Sequence, residues 1–413
     1  MAPPNQAIPE ALYRNALNLN RFSNSVSNEL ITRYNDIISD ISYQLAAIDE
    51  VTSPGTTLRL RTILKQLQES LGTWAIDSTK VTVEQLQGLA MLETDFVQEQ
   101  LKKVLPSDAA KRSVRTVEVS ENFAKSVVTT DPTKVNVFTL PKELQAQVTG
   151  VQPKFNLTAR FGSVITLPNG ATVQKAFRGL AVQQADLFTK TVRNGLLTGE
   201  PISQISRRLR GKLQFNQEGT IAQKIAAGGE ATKLANNQVH TIVRTSINQV
   251  ANAASSAVYS ANQDITKQYK YVATLDSRTS SICARLDGQI FEFGKGPTPP
   301  QHFNCRSVTV PIISDEFLKE FGLTSDDLDI GTRPSKTGLR QIGKTVPADV
   351  TYPNWFAGQP IEIQNEIFGV KKSALFRKQI RKGKNPTDVF RQFVREDGSE
   401  LTLKELEKFT KNS

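Results

Sequence analysis

Cysteine, histidine, methionine and tryptophan each occur only twice in this chain of 413 residues. Two cysteines exclude a disulfide framework as the main support of the fold. Two histidines exclude a histidine-rich metal centre of the kind many nucleases need. Long apolar runs are also missing. No window approaches the roughly 18 residues that a membrane-spanning helix requires, so no membrane segment is expected. The opening "MAPPNQAIPEALYRNALNLN" lacks the basic start and apolar run of a secretory signal, so synthesis and folding in the cytoplasm are expected. No recognised DNA-reading motif is present, which argues against sequence-specific readout.

The residues that are present describe a folded protein with a basic surface. The chain is too long for one hydrophobic core, and two to four domains are expected. Hydrophobic residues make up 38% and charged residues 22%, so most of the chain should fold. Lys and Arg total 51 against 40 Asp and Glu, a formal net charge of +11. That balance fits a polyanionic environment, nucleic acid first, and also fits a soluble surface with a modest lysine excess.

Periodicity divides the chain. Residues 1–22 carry early prolines and polar residues and read as a flexible arm. Leu30, Tyr34, Ile37, Ile41, Leu45 and Ile48 then recur every three or four residues, one apolar stripe of a helix. Pro54-Gly55 breaks it, and a second helix follows with Leu60, Ile63, Leu64, Leu67, Leu71 and Trp74. Thr82 with Gln85 resembles a capping box opening a third helix, which Pro106 ends. Residues 23–106 are therefore predicted to be a helical bundle. Residues 107–180 read as a partly β connector, with two short strands around the turn Pro168-Asn169-Gly170. Residues 181–262 return to helix. Pro201 suits a first helical position, and Arg207, Arg208, Arg210 and Lys212 suit the helix end. In the next helix Val243, Ile247, Val250, Ala254 and Val258 form the buried stripe. Arg244, Asn248 and Asn252 form a polar ladder beside it, suited to pinning a loop or a second chain.

The remaining cysteine chemistry is concentrated in "DSRTSSICARLDGQIFEFGKGPTPPQHFNCRS", Asp276 to Ser307. Residues 263–314 read as a small β module with three strands, "QYKYVATLD", "QIFEF" and "RSVTVPII", joined by turns at Asp276 and at Asp287-Gly288. A unit this small needs a staple or a neighbour. Cys283, His302 and Cys305 supply zinc-type donors, with Asp276, Asp287 or water as a fourth ligand. The plainer reading makes both cysteines small apolar residues packed beneath the proline loop, with His302 bonded to a backbone carbonyl. A Cys283–Cys305 disulfide is the third. Nucleophilic catalysis by a Cys–His pair would need an activated thiolate, an orienting group and an oxyanion site, and no protease signature is present. No catalytic residue and no cofactor beyond structural zinc is assigned. Residues 315–345 read as a linker, and 346–413 as a basic C-terminal extension with a small core of Trp355, Phe356, Ile363, Ile367 and Phe368. Its Lys371, Lys372, Arg377, Lys378, Arg381 and Lys382 form a solvated face or a phosphate-contacting surface. The predicted class is α+β, predominantly α-helical. An ion pair between Arg244 and Asp276 is expected to fix the module to its helix.

The Asp276–Ser307 segment resembles the signature of the phage Mu F-like minor head proteins, or phage head morphogenesis proteins. The matching positions are Asp276, Arg278, Thr279, Cys283, Leu286, Asp287, Gly288, Pro300, His302, Cys305 and Arg306, with Arg244, Thr245 and Asn248 on the preceding helix. "LLTGEPISQISRRLRG" upstream and the final 70 residues are similar to the same family. Leu286 and Ser307 stand where many relatives carry further cysteines. The resemblance implies a structural virion protein rather than an enzyme. Such a protein associates with the portal or major capsid protein in the host cytoplasm during assembly. It then sits inside the head beside non-specifically bound double-stranded DNA, and in some systems leaves with it. The rival expectation is a virion-carried effector enzyme that processes DNA or ADP-ribosylates a target.

Overall fold

A computed structural model describes residues 8–48, 54–105, 108–119, 155–157, 167–215, 221–228, 230–328, 331–336 and 344–411. The fold is α+β and predominantly α-helical. Two long helices, α1 (Ile8–Ala46) and α2 (Pro54–Val104), pack together. The stripe read from sequence lies on their shared face, where Leu30, Tyr34, Leu45, Leu67 and Leu71 are fully buried. Pro54 sits at the first turn of α2, where its missing N–H costs nothing.

The helical core continues through α4 (Val173–Leu197), α5 (Ile202–Arg210) and α6 (Glu230–Ala261). Short pieces α3 (Asp108–Ser113) and the parallel pair β1 (Val117–Val119) and β2 (Phe155–Leu157) lie between α2 and α4 in the chain. An aromatic column joins three helices. Trp74 packs edge-on against Tyr34 and Phe177, at centroid distances of 5.3 and 5.9 Å. The Trp74 indole N–H donates to the Leu30 carbonyl at 3.0 Å, and the Tyr34 hydroxyl donates to Gln184 Oε1 at 3.0 Å. These bonds satisfy the polar tips of two buried aromatics.

A three-stranded antiparallel sheet follows, in the order β6 (Ile290–Glu292), β5 (Thr266–Val272), β7 (Val308–Ile313). Helix α7 (Ser281–Leu286) lies between β5 and β6 in the chain, and α8 (Asp315–Lys319) follows β7. Next comes the hairpin β8 (Thr332–Ser335) and β9 (Lys344–Pro347). The C-terminal unit comprises α9 (Tyr352–Ala357), α10 (Ile361–Phe368), α11 (Val370–Arg381), α12 (Pro386–Phe393) and α13 (Leu403–Lys411). Its separate core is aromatic, built on Tyr352, Trp355, Phe356, Phe368, Phe376, Phe390 and Phe393. Ile367 and Ile363 are only half-buried.

Several expectations are corrected. The arm is helix from Ile8, and Ile8, Leu12, Tyr13 and Leu19 are buried. Pro3 and Pro4 precede the helix, and Pro9 falls in its first turn, where a missing N–H breaks no helical bond. Thr82 opens no new helix. No proline interrupts residues 55–105, and the Thr82 hydroxyl donates to the Ser78 carbonyl at 2.7 Å, so the threonine sits within the continuous α2. After the Pro168–Gly170 turn the chain is helix rather than strand, because Thr172 caps α4 by accepting from Lys175 N. The strand expected before that turn lies largely outside the described residues. The hairpin β3 (Gly211–Phe215) and β4 (Ile221–Gly228) interrupts the central helices. The linker at 315–345 contributes α8, with Phe317 and Leu318 buried in the main core, and β8.

One acid lies inside the helical core. Glu93 on α2 is 5% exposed; it accepts from Asn15 Nδ2 of α1 at 2.6 Å and from the Ser255 hydroxyl of α6 at 3.3 Å. Burial pushes its carboxyl up from 4.5 to about 7, against the lowering effect of those two donors. The folded protein therefore holds this proton more tightly than the unfolded chain. The stability linked to it is complete below pH 4.5 and is lost as pH rises through about 7. We expect Glu93→Gln to flatten that slope and to raise stability at about pH 8 by about 3 kcal/mol. Urea midpoints measured at about pH 5 and about pH 8 check this.

Candidate functional site

Helix α6 holds the loop that precedes β7. Asn248 Nδ2 donates to the Ser307 carbonyl at 3.0 Å, and Asn252 Nδ2 donates to the same oxygen at 3.5 Å and to the Asn248 carbonyl at 2.8 Å. Thr245 Oγ1 accepts from Asn304 N at 3.0 Å, and Asn304 Nδ2 donates to Thr241 Oγ1 at 3.1 Å. Asn304 has φ +59°, a left-handed conformation that asparagine tolerates better than most residues. The polar ladder thus pins a loop, and that loop carries His302 and Cys305.

The structure brings Cys283, His302 and Cys305 together. Their donor atoms all lie within 4.8 Å of one another. Cys283 Sγ is 3.2 Å from His302 Nε2 and 3.7 Å from Cys305 Sγ. Cys283 is placed by α7, where the Ser280 hydroxyl accepts from its N–H at the helix start. Both thiols are buried and unbridged, while the imidazole is half-buried. His302 Nδ1 donates to the Phe303 carbonyl at 2.7 Å. The Tyr271 hydroxyl lies 3.2 Å from Cys283 Sγ. Leu286 packs against the same group. The Cys283 thiol is pushed up, by its hydrogen bond to Cys305 and then by burial. Cys305 is held well below the ordinary thiol value, first by the Cys283 hydrogen bond and then, against burial, by His302. Burial lowers His302, but Cys305 outweighs it and raises the imidazole overall.

The expected Arg244–Asp276 ion pair does not form. Asp276 is claimed by Arg306, which makes a two-pronged contact at 2.5 and 2.8 Å. The same carboxylate accepts from Arg278 N at 3.0 Å and from the Thr279 hydroxyl at 3.2 Å. Burial raises the Asp276 carboxyl, but Arg306 and the Arg278 N–H outweigh it and hold it below the usual value. Arg244 instead donates to Asn24 Oδ1 of α1 at 2.9 Å and to Asn304 Oδ1 at 3.4 Å. Burial lowers its affinity for the proton, and the like charges of Arg306 and Arg278 add to that.

Asp287 is the second fully engaged acid. Its oxygens accept from Ala273 N at 2.6 Å, Tyr352 N at 2.5 Å and both terminal nitrogens of Arg333 at 3.1 Å. The pair is almost fully buried, with side-chain exposures of 0% for Asp287 and 4% for Arg333. Gly288 completes the turn at φ +80°, and a Cβ there would meet Thr351 Cγ2 at 2.6 Å. Sequence reading missed Arg333, Tyr271 and Tyr352, since none sits in a recognisable spacing with its partner. Neither Asp276 nor Asp287 is left as a metal ligand: each is committed to an arginine and to backbone N–H groups.

The basic run on α11 divides by partner. Lys372 pairs with Glu400 at 2.7 Å, and Arg377 donates to Gln364 Oε1 at 3.0 Å. Lys371, Lys378, Arg381 and Lys382 are exposed.

Removing one member of the Asp287–Arg333 pair strands a buried charge. We expect Arg333→Met to cost about 3–5 kcal/mol. The double variant Asp287→Asn with Arg333→Met should recover part of that loss. Denaturant titration of the four proteins in the cycle measures both.

Among the described residues no helix is long and apolar enough to cross a membrane. The chain is 40% identical over 53 residues to an uncharacterized protein of Haemophilus influenzae (strain ATCC 51907 / DSM 11121 / KW20 / Rd), a match covering 12% of each protein. No solved structure matches the chain. Residues 186–310 match the family described as Phage Mu protein F like protein. That stretch runs from α4 through the α6 ladder, the Cys/His cluster and the Asp276–Arg306 pair into β7, so the region that builds the site is the part of the chain similar to the Mu F-like family.

Proposed function

We propose that this protein is a phage head protein acting in head morphogenesis, a non-catalytic component held against the portal or the inner capsid. The observation that carries this reading is the Mu F-like match over 186–310, which coincides with α6 and the module it pins. The use of the polar groups supports it. Asp276 and Asp287 are both spent on arginines and backbone amides, as in a device that fixes one element to another. The protein would assemble in the host cytoplasm and reside inside the head. The exposed Lys371, Lys378 and Arg381 on α11, with Lys382 at its C-terminal cap, supply a surface for the phosphates of packaged DNA, without base readout. Ejection with the DNA is compatible with that position.

A second reading, a virion-carried enzyme that processes DNA or ADP-ribosylates a target, rests on the 3.2 Å Cys283–His302 contact. Nuclease and NAD-glycohydrolase assays on the full chain separate it from the first.

Mass spectrometry of purified particles should find the chain at low copy, and pull-down from assembling cells should recover portal or major capsid protein. Absence from particles would overturn the proposal. For the DNA surface, we expect the combined Lys371→Ala, Lys378→Ala, Arg381→Ala and Lys382→Ala variant to reduce the slope of log affinity against log salt by about 3–4. An unchanged slope in fluorescence anisotropy with a random duplex would remove α11 from the DNA contact.

A further inference from the structure

The Cys283, His302 and Cys305 donor atoms converge from α7 and from the loop that α6 pins. Four observations on this cluster point the same way. The sulfur–sulfur distance of 3.7 Å is far from the roughly 2.05 Å of a disulfide. It is close to the edge of a tetrahedron: zinc–sulfur bonds of about 2.3 Å place two thiolates about 3.8 Å apart. By the same arithmetic a thiolate and an imidazole nitrogen on one zinc lie about 3.5 Å apart, and Cys283 Sγ to His302 Nε2 is 3.2 Å. The imidazole is also set in the required tautomer. Its Nδ1 carries the proton donated to the Phe303 carbonyl, so Nε2 faces the thiols, the outer-shell arrangement usual for a ligating histidine.

We infer that Cys283, His302 and Cys305 form a zinc site of two thiolates and one imidazole, with solvent as the fourth ligand. Soft sulfur donors and an imidazole select zinc over calcium or magnesium, which take oxygen. Solvent fills the fourth position because the two nearby acids are taken: Asp276 by Arg306, and Asp287 by Arg333. The metal links α7 to the 302–305 loop, whereas the hydrogen bonds of α6 fix only that loop. This inference is independent of the virion reading, because a Mu F-like head protein can perform its role with or without the ion.

Cobalt(II) titration of the metal-stripped, reduced full chain tests it. One cobalt per chain should bind, with the intense visible bands of tetrahedral coordination and a thiolate-to-cobalt charge-transfer band, and one equivalent of zinc should bleach them. Cys283→Ser and Cys305→Ser should each lose most of the charge-transfer intensity, and His302→Ala should weaken binding at least tenfold. X-ray absorption at the zinc edge of the wild-type protein should count two sulfur and one imidazole neighbour, a measurement that needs no variant to fold. No uptake with both thiols reacting freely would overturn the site. So would a Cys283–Cys305 disulfide that survives reductant, or zinc bound with no sulfur neighbour.

Discussion

The carboxylate of Asp287 is the point on which the C-terminal half of the molecule depends. A buried charge is tolerable only if hydrogen bonds replace the water it loses. Asp287 obtains them from three separate pieces of chain: the end of β5 through Ala273 N, hairpin β8 through Arg333, and the start of α9 through Tyr352 N. Arg333 uses two further donors on the Ala273 and Val350 carbonyls. The strand, the hairpin and the C-terminal unit are thereby locked in one relative position, since moving any of them strands a charge or an amide. Apolar packing alone would hold these elements together but would specify their register less sharply.

Asp276 repeats the logic on a smaller scale. Its turn is closed by the Arg278 N–H and the Thr279 hydroxyl, and Arg306 reaches it from just beyond Cys305. The cysteine-bearing loop is therefore held on both sides, by Arg306 to the turn and by Asn248 and Thr245 to α6. The two buried acids of the module are thus both committed, and the exposed Lys371, Lys378 and Arg381 lie apart from them, on α11.

What could be read from sequence follows the range of the interactions. The apolar stripes of α1, α2 and α6 were legible because a helix repeats its buried face every three or four residues. The Cys/His cluster was legible because its residue types are rare in this chain. The three strands of the module, the turn at Asp287-Gly288 and the ladder of Asn248 and Asn252 were local patterns too. The partner of Asp276 was not: Arg244, Arg278 and Arg306 were all available, and only the path of the backbone decides among them. Arg333 was invisible for the same reason, lying 46 residues from Asp287 in a stretch with no periodicity. The helix at residues 8–22 was hidden by the early prolines and polar residues, which outweighed a stripe of Ile8, Leu12 and Leu19 whose burial depends on distant partners.

The three cores explain why chemistry at the cysteines should matter beyond its own volume. The helical core and the aromatic C-terminal core are separate, and the small group of Tyr271, Ala273, Cys283 and Cys305 forms a third. Helix α7 serves two of them: Cys283 points into the small group, while Ala284 belongs to the C-terminal core and Arg285 donates to the Arg391 and Val394 carbonyls at 2.7 and 2.8 Å. Gly398 lies so close to α7 that a Cβ there would collide with Ile282 Cβ. A shift of α7 by even part of an ångström cannot be absorbed locally, because close-packed interiors transmit displacement rather than damp it. Whatever bonds Cys283 to the 302–305 loop therefore sets how the C-terminal unit, with its exposed basic face, is carried relative to the helical core.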